Sequence, residues 1–331
     1  MKVGIVTNNR NSMIFSDSLN EAAKQLGHSA YIFELDYSKS VQAERQRLLE
    51  LVAFEEIEIV LFLNDFRFKG NSFFISKKIA ERVDCRLWIW DTMYDINTLR
   101  SHINLYSRIY SFEIQDVIQL EQQYSIAAKY MPLFAGPEFY ANPRSDNDLQ
   151  DIDIFFIGTI AGSEKRLTIL EAVAKLAYEK GYKMLVFGRA WHDHHWYQRV
   201  IGKFKFSMKY PYLAKCIENR VLLPKDVISY YKRAKINLNI HVEGQTCYNC
   251  RTFEVMGNHN FLLSDAQDIC DLKMQAGVHF DVYHDEIEIA QKVQYYMEHY
   301  EERNKIAHEG GNLISSEYNL VYSLACILAK E

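Results

Sequence analysis

The sequence predicts an α/β protein built from two parallel sheets, each covered by helices on both faces. Short apolar runs alternate with helix-spaced segments along the whole chain. The runs have almost no polar interruption, as at residues 57–63, which is typical of strands buried on both faces. A length of 331 residues favours about two domains.

In the N-terminal half most of the predicted strands are followed by a predicted helix. The helix at 12–26, for example, places Phe15, Leu19, Ala22 and Leu26 at helical spacing. Strands are predicted at residues 2–7, 30–35, 57–63, 87–90, 108–112 and 127–131. Helices are predicted at residues 12–26, 41–54, 73–83 and 113–123.

A stretch rich in turn formers, at residues 137–151, separates the two halves and predicts a linker. Beyond it, strands are predicted at residues 152–157, 183–187, 236–240, 260–263 and 278–282. Helices are predicted at residues 164–179, 226–234, 251–257, 285–300 and 313–329. We expect one domain at residues 1–140, a second at 141–312, and a C-terminal helix within 313–331 that packs back across the domain junction.

The composition is that of a globular protein, with 48% hydrophobic and 24% charged residues. A net charge of −5 argues against general nucleic-acid binding, which favours a basic surface. The N-terminus is too quickly polar for a secretory signal, and no apolar run approaches the ~18 residues of a membrane helix. The six cysteines form no disulfide pattern, so reduced thiols and a cytoplasmic protein are expected.

Arg251 and Glu254 stand three residues apart at the start of a predicted helix, so their side chains share one face. The free N–H groups and positive dipole end of such a helix suit a phosphate. A carboxylate one turn further in is able to accept hydrogen bonds from a ribose diol. For an isolated pair of this kind a surface ion pair is the favoured alternative. Here the resemblance of the flanking pattern up to Asp265, described below, is what favours a ligand site.

The loop at residues 158–166 follows a predicted strand and begins a helix. Its glycines let a ligand approach the backbone, and Ser163 is a suitable N-cap. Lys165 and Arg166 would then meet a diphosphate. A strand-to-helix loop with a solvated basic pair is the alternative. The spacing matches neither the dinucleotide fingerprint nor the P-loop, so neither ligand is specified.

The segment 249–265 resembles the donor-site segment of the CgeB-like glycosyltransferases, a branch of the retaining enzymes with two Rossmann-like domains. The matching positions are Asn249, Arg251, Phe253, Glu254, Gly257 and Asp265. Other segments resemble the same family, namely 130–137, 152–158 with Arg166, 186–191 and 230–241. The resemblance implies a GT-B architecture, in which two parallel sheets face a central cleft. It places the acceptor on the N-terminal domain and the nucleotide sugar on the C-terminal domain.

The resemblance also implies roles for individual residues. Glu254 would hold the ribose of the donor, Arg251 would face its phosphates or sugar, and Arg166 would stabilise the leaving nucleoside diphosphate. Asn249 would add a hydrogen bond or cap the helix. The rest of the implied donor site comprises Gly158, Thr159, Lys165, Gly188, Arg189, His241, Thr252 and Phe253. Most of these lie in loops after predicted strands, where parallel sheets bind ligands.

The chain departs from larger relatives, which carry two glutamates eight positions apart. Thr246 occupies the position eight residues before Glu254. This fits the CgeB-like branch and leaves open which group contacts the donor sugar ring.

Candidate acceptor-side residues follow two strands of the N-terminal half. Asp91 and Asp95 come after the fourth predicted strand, and Asn8, Asn9 and Arg10 after the first. Asp91 is a candidate to orient an acceptor hydroxyl or to act as a base. A loop aspartate that caps the next helix is the alternative.

Two groups of residues have the chemistry of metal ligands. The loop 192–195 holds three histidines and an aspartate, and Cys247 and Cys250 lie near His241. A single C-x-x-C lacks the second ligand pair that a structural zinc site needs. We therefore expect a polar loop, a turn before a helix and no metal.

Residues 203–212 mix basic and aromatic side chains. Contact with a membrane surface or a lipid-linked acceptor is one interpretation. Because this segment lacks a clear amphipathic period, a solvated surface segment is favoured.

The function predicted from these features is a metal-independent, hexosyltransferase-type glycosyltransferase. It would move a sugar, with retention, from a UDP- or GDP-linked donor to a hydroxyl of a glycan, lipid-linked or protein acceptor. No cofactor is needed besides the donor substrate, and a role in glycan or surface-polysaccharide assembly is expected. Two alternatives stay open: a sugar-nucleotide epimerase of the same architecture, and a non-catalytic protein that binds nucleotide sugars in surface assembly.

Overall fold

The computed structural model describes residues 1–7, 9–64, 67–68, 72–91, 102–192, 195–267 and 272–329, with the backbone alone for 9–15, 67, 68, 72, 224 and 225. The chain forms two compact units. The first comprises Met1–Pro137 with Tyr318–Glu331, and the second comprises Glu138–Glu317. The C-terminal segment thus belongs to the first unit.

The first unit contains a parallel six-stranded sheet in the order β2-β1-β3-β6-β7-β8. Its strands are β1 (Lys2–Thr7), β2 (Ser29–Glu34), β3 (Ile59–Leu63), β6 (Asp84–Ile89), β7 (Arg108–Ser111) and β8 (Lys129–Tyr130); β4 (Arg67–Phe68) and β5 (Ser72–Phe73) form a separate antiparallel pair. Its helices are α1 (Asn9–Gln25), α2 (Val41–Glu55), α3 (Lys77–Ala80), α4 (Ile114–Tyr124) and the C-terminal α12 (Leu320–Leu328), while α5 (Pro137–Tyr140) crosses the boundary of the two units.

The second unit contains another parallel six-stranded sheet, in the order β11-β10-β9-β12-β13-β14. Its strands are β9 (Ile152–Ile157), β10 (Met184–Phe187), β11 (Ile217–Glu218), β12 (Ala234–Asn239), β13 (Leu262–Asp265) and β14 (Asp281–Tyr283). Its helices are α6 (Glu164–Lys180), α7 (Trp196–Lys209), α8 (Pro224–Arg233), α9 (Cys250–Gly257), α10 (Glu286–Glu298) and α11 (Tyr300–Glu317).

Burial on both faces of the parallel sheets explains why the strands are apolar. All five residues of β3 are buried, as the uninterrupted apolar run predicts. The second sheet is equally enclosed, with Ile154, Val186, Ile236 and Leu263 in one continuous core. The predicted α/β class with two parallel sheets is confirmed.

The strand order of the second sheet locates a binding position. Counted along the unit, the order is 3-2-1-4-5-6, the doubly wound arrangement of dinucleotide-binding domains. The order reverses between β9 and β12, which pair directly through Ile236 and Ile154. Ligands in such sheets bind outside the carboxyl ends of the strands at this reversal.

Two predicted helices are wrong or incomplete. The helix expected at residues 73–83 is only α3, because Arg45 donates to the carbonyl oxygens of Phe73, Phe74 and Ile75 and holds them extended (2.7, 2.9 and 3.2 Å). The segment 203–212, expected to be a solvated surface segment, belongs largely to helix α7, which was not predicted.

The helix expected at 313–329 is two helices, α11 and α12. Asn319 separates them and caps α12 by accepting a hydrogen bond from the Tyr322 N–H (2.9 Å). Helix α11 also begins at Tyr300, well before the predicted start. Its Gly310 and Gly311 lower helix propensity, but a Cβ at Gly310 would lie 2.2 Å from the His279 carbonyl oxygen. The glycines therefore allow close packing.

Candidate functional site

The candidate site lies in the second unit, at the carboxyl ends of β9 and β12. Two loops meet there: the one from Gly158 to Ser163, which leads into α6, and the one from Ile240 to Asn249, which leads into α9. Both helices therefore begin at the strand-order reversal, where their free N–H groups favour an anion.

Glycine at position 188 allows the loops after β9 and β10 to pack together. The Gly158 N–H donates to the Phe187 carbonyl (3.0 Å), and the Ala161 N–H donates to the Arg189 carbonyl (2.9 Å). A Cβ on Gly188 would lie 2.1 Å from the Gly158 carbonyl oxygen, which is an impossible contact. The close approach of these loops thus depends on Gly188.

Ser163 caps α6, as the sequence predicts. Its hydroxyl accepts a hydrogen bond from the Arg166 N–H (3.3 Å), and Gly162 precedes it with a φ of +84°. This turn brings Arg166 into the first turn of the helix.

Arg166 is buried, with 3% of its surface exposed, and it links the two loops. Its Nε donates to the Ile240 carbonyl (2.7 Å) and its Nη1 to the Thr159 carbonyl (2.6 Å). Among the described residues no carboxylate lies within ion-pair distance of this guanidinium, and Nη2 donates to none of them. Burial, with the nearby positive charge of Arg251, lowers the pKa of Arg166 to about 10. A buried cation of this kind is costly without an anion beside it.

Arg251 lies in the first turn of α9, one turn before Glu254, and both side chains are partly buried. Within the described part of the chain the Arg251 guanidinium forms neither an ion pair nor a hydrogen bond. The surface ion pair considered from the sequence is thus not formed. Burial raises the pKa of Glu254, and Arg251 only partly opposes this rise. Glu254 accepts a hydrogen bond from the buried Tyr231 hydroxyl (3.1 Å), which orients the carboxylate.

His241 and Asp265 form a buried pair behind this surface. The Asp265 Oδ1 lies 2.6 Å from the His241 Nδ1 and accepts from the His241 backbone N–H (3.0 Å). The His241 Nε2 accepts a hydrogen bond from the Asn249 N–H (3.2 Å), so the ring proton lies on Nδ1 and is donated to Asp265. Lys165 completes the cluster, with its Nζ 2.5 Å from the Asp265 Oδ2. Burial alone would raise the pKa of Asp265, but the hydrogen bonds from His241 and Lys165 outweigh it and hold the pKa below its usual value.

Asn249 caps α9 and joins it to β12. Its Oδ1 accepts from the Arg251 N–H (3.1 Å), and the side-chain amides of Asn249 and Asn239 exchange two hydrogen bonds (3.0 and 3.2 Å). Asn239 also donates to the Thr252 hydroxyl (3.0 Å). His241, Thr252 and Phe253 are fully buried, so their side chains support the protein around the site and are not exposed to a ligand. Together they fix the start of α9, and therefore the position of Arg251.

Glu243 is a site residue that the sequence did not indicate. Its carboxylate accepts hydrogen bonds from the Ser163 hydroxyl (3.0 Å) and from the Lys165 N–H (3.1 Å) at the start of α6. Hydrogen bonds from its own N–H and from that of Lys165 lower the pKa of Glu243. Position 243 is in a loop 78 residues beyond Lys165, so only the fold brings the two together. The Glu243 carboxylate therefore lies at the start of α6, where the sequence predicts a diphosphate.

Thr159 and Arg189 are exposed at the same edge of the sheet. Thr159 contributes its carbonyl to Arg166, as described above. The Arg189 side chain forms no ion pair or hydrogen bond with any residue that the structure describes.

In the first unit, Asp91 is exposed just after β6 and is held by Asn64, which follows β3. The Asn64 Nδ2 donates to the Asp91 Oδ2 (3.3 Å), and the Asn64 Oδ1 accepts from the Trp90 N–H (2.6 Å). Asn8 and Asp95 lie outside the described residues. The backbone of Asn9 and Arg10 forms the start of α1, and their side chains lie outside the described part.

Metal-ligating side chains do not gather in the described ranges: no group of three or more His, Cys, Asp or Glu residues has the geometry for an ion. His192 and His195 are exposed, whereas Asp193 and His194 lie outside the described residues. None of the helices, as far as the chain is described, is long and apolar enough to span a membrane.

Comparison with protein families supports the prediction that the protein is a glycosyltransferase. Residues 166–329, just under half of the chain, match the model of a family described as glycosyl transferase-like. This segment includes Arg166, Arg251 and Glu254. No curated protein matches the sequence.

Solved structures resemble the chain over its full length. The glycosyltransferase from Rickettsia africae ESF-5 is 13% identical with a TM-score of 0.72, covering 100% of this chain and 99% of that one. Anabaena HepE in complex with UDP-glucose is 10% identical with a TM-score of 0.69, covering 99% and 98%. Sucrose-phosphate synthase from Thermosynechococcus elongatus is 9% identical with a TM-score of 0.68, covering 98% and 97%. At such identities the likeness concerns the fold.

The two parallel sheets and these neighbours show the α/β fold class of the GT-B glycosyltransferases, and the family match supports a glycosyltransferase.

Proposed function

We propose that this protein is a glycosyltransferase whose second unit binds a nucleotide-sugar donor. The observation that carries the proposal is the pair of guanidinium groups, Arg166 and Arg251, at the strand-order reversal. Neither has a carboxylate partner among the described residues, and one is almost fully buried. Two neighbouring cations in such a position suit a diphosphate, whose oxygens accept several hydrogen bonds at once.

The geometry supports a definite arrangement of the donor. The diphosphate lies against the Arg166 Nη2, the Arg251 guanidinium and the starts of α6 and α9. Glu254, one turn further along α9, accepts hydrogen bonds from the ribose diol. Gly188 lets the loops after β9 and β10 pack together behind this position. UDP or GDP is the proposed carrier.

The reaction breaks the bond between the sugar C1 and the diphosphate oxygen and forms one between C1 and an acceptor hydroxyl oxygen. The hydroxyl proton leaves to a base or to the departing phosphate. Negative charge grows on the diphosphate as the bond lengthens, so cations already in place stabilise the transition state more than the bound donor. We propose that arginines and helix dipoles supply this charge without a metal ion, and that transfer retains the anomeric configuration, as in the CgeB-like enzymes.

The first unit is proposed to supply the acceptor contacts. Asp91, which Asn64 holds at the end of β6, is the candidate to orient the acceptor hydroxyl. The acceptor is a hydroxyl of a glycan, a lipid-linked sugar or a protein, and assembly of a cytoplasmic or surface glycan is the proposed role.

Incubation of the full chain with UDP- and GDP-sugars and a panel of acceptor glycans tests the proposal. Product analysis by mass spectrometry and proton NMR separates transfer, epimerisation of the donor, and binding without turnover. We expect a retained glycosidic product whose formation persists in EDTA and is lost in Glu254→Ala. An isomerised nucleotide sugar without transfer would instead identify an epimerase, and binding with no product at all would identify a non-catalytic protein.

A further inference from the structure

Helix α7 exposes an apolar face that the donor site does not use. Six large apolar side chains on it are unusually open to solvent: Trp196 (78%), Tyr197 (47%), Val200 (62%), Ile201 (50%), Phe204 (63%) and Met208 (71%). At 3.6 residues per turn these positions fall within an arc of about 140°. The only polar residue in the arc is Ser207, whose hydroxyl is donated to the Phe204 carbonyl (2.9 Å). A continuous apolar face of this kind on a globular surface marks an interaction site.

The opposite face of α7 fixes its orientation on the second unit. Phe206 is buried, and its ring centroid lies 5.1 Å from that of Trp191. A Cβ on Gly202 would lie 2.8 Å from the Trp191 ring, so the helix sits directly on this indole. The helix therefore presents its apolar arc outward as a rigid surface.

Basic side chains border the apolar arc on both sides. Arg199 and Lys203 flank one edge, and Lys205 and Lys209 flank the other; α7 contains no acidic residue. Lys209 contacts Glu164 (3.1 Å), whereas the other three form no ion pair with the described residues. This local charge stands out in a chain whose net charge is −5.

We propose that α7 is an interfacial membrane anchor that lies in the surface of an anionic bilayer. An apolar arc bordered by Lys and Arg, with Trp and Tyr at one end, has the chemistry of a helix that lies in the plane of the lipid headgroups. The long basic side chains place their charges at the phosphates while their stems cover apolar surface. A protein partner fits less well, because lysine is depleted in protein interfaces and α7 has three.

Vesicle flotation of the full-length protein tests this proposal. We expect binding to vesicles that contain phosphatidylglycerol, little binding to pure phosphatidylcholine, and a loss of binding at high salt. Phe204→Ser should weaken partitioning about 10-fold, because a buried phenyl ring is lost from the bilayer. Phe54→Ser, at a phenylalanine that is 85% exposed on α2, is the matched control and should leave binding unchanged.

Charge reversal provides a second, independent arm. Lys203→Glu with Lys205→Glu should reduce partitioning by at least about 25-fold, since each basic residue at an anionic surface contributes about fivefold. Lys78→Glu with Lys129→Glu, at exposed lysines of the first unit, should have little effect.

Tryptophan fluorescence reports whether the helix enters the lipid. Emission should shift to the blue on vesicle binding and be quenched by brominated lipid, and Trp196→Phe should remove both effects. Failure to bind anionic vesicles at low salt would overturn the proposal. So would binding that Phe204→Ser leaves intact, or a lipid-free dimer that Phe204→Ser dissociates, which would assign the face to a second copy of the chain.

Discussion

Arg166 has a structural and a proposed catalytic role in one side chain. Two of its five donors hold the carbonyl groups of Thr159 and Ile240, and the other three have no partner among the described residues, so they are able to meet an anion. Its replacement should therefore lower both stability and turnover. The two effects are separable, because kinetic constants of the folded fraction do not depend on how much protein is folded.

Arg166→Ala should lower kcat about 100- to 1000-fold, which is the usual cost of losing one preorganised donor to a developing negative charge. The donor KM should rise far less, because the charge is largest in the transition state. Arg166→Lys should recover only part of kcat, since a point charge does not reproduce the planar fork. Steady-state kinetics measure this, with Arg82→Ala, at an exposed arginine of the first unit, as control. A near-normal kcat in Arg166→Ala would remove the residue from the reaction.

Glu243→Gln should tighten nucleotide binding about 5- to 10-fold, because the carboxylate competes with the diphosphate for the Ser163 hydroxyl and the Lys165 N–H. Calorimetric titration with UDP or GDP measures the change. Glu164→Gln, at an exposed glutamate in the first turn of α6, is the control. Equal or weaker affinity in Glu243→Gln would mean that the carboxylate does not occupy the anion position.

Glu254→Gln should change how stability depends on pH. The pKa of Glu254 is raised in the folded protein because the carboxyl is buried. Below the ordinary pKa the carboxyl is protonated in both the folded and the unfolded protein and does not lower the free energy of unfolding. As the pH rises from the ordinary pKa through the raised one, the unfolded protein loses this proton first, and the free energy of unfolding falls. Relative to the wild type, the variant should gain unfolding temperature as the pH rises from about 4.5, the unshifted carboxyl pKa, to about 7. A constant difference across this range would show that Glu254 carries no such strain.

At the level of elements, the loops after β9 and β10 pack directly against each other because residue 188 is a glycine. Gly188→Ala should destabilise the protein by about 3 kcal/mol, since the new methyl group would overlap the Gly158 carbonyl. Nucleotide affinity should fall as well. The control is Gly27→Ala, where a Cβ meets open space and only the φ of +71° is unfavourable, at about 1 kcal/mol. Thermal unfolding and calorimetry check both, and equal effects of the two variants would contradict the argument.

Most strands were predictable because burial on both faces leaves an uninterrupted apolar run, as in β3. The helices that were missed have residue patterns that only contacts with residues distant in sequence explain. Residues 300–312 of α11 carry polar residues and a Gly-Gly pair, which only its packing against His259 and His279 explains. The amphipathic period of α7 is not recognisable from residues 203–212 alone, because its apolar arc begins at Trp196.

At the level of the whole molecule, the chain pairs two parallel sheets whose orders reverse at different strands. In the first the reversal lies between β1 and β3, and in the second between β9 and β12. The segment Tyr318–Glu331 returns to the first unit, where Arg86 donates to the carbonyl oxygens of Ile327 and Ala329. The proposed donor site is therefore contained in one continuous segment, Glu138–Glu317.

The sequence predicted the Ser163 cap and placed Arg166, Arg251 and Glu254 in first and second helical turns, because such local features depend on adjacent residues. For Asn249, capping was one of the two roles that the resemblance implied. The sequence did not predict contacts across long stretches of chain, such as Lys165 with Asp265, 100 residues apart. These contacts arise only when the strands pair. Their role in ligand binding stays a prediction until nucleotide affinity is measured.

The most direct test is a thermal-shift and calorimetric screen of the full chain against UDP, GDP, ADP, CMP and dTDP. We expect UDP or GDP to stabilise the protein, by ~2.7 kcal/mol at 100 times its dissociation constant. Arg251→Ala should abolish this stabilisation, while Arg82→Ala, at an exposed arginine of the first unit, keeps it. The absence of stabilisation by every nucleoside diphosphate, or a full shift in Arg251→Ala, would contradict a donor site at the start of α9.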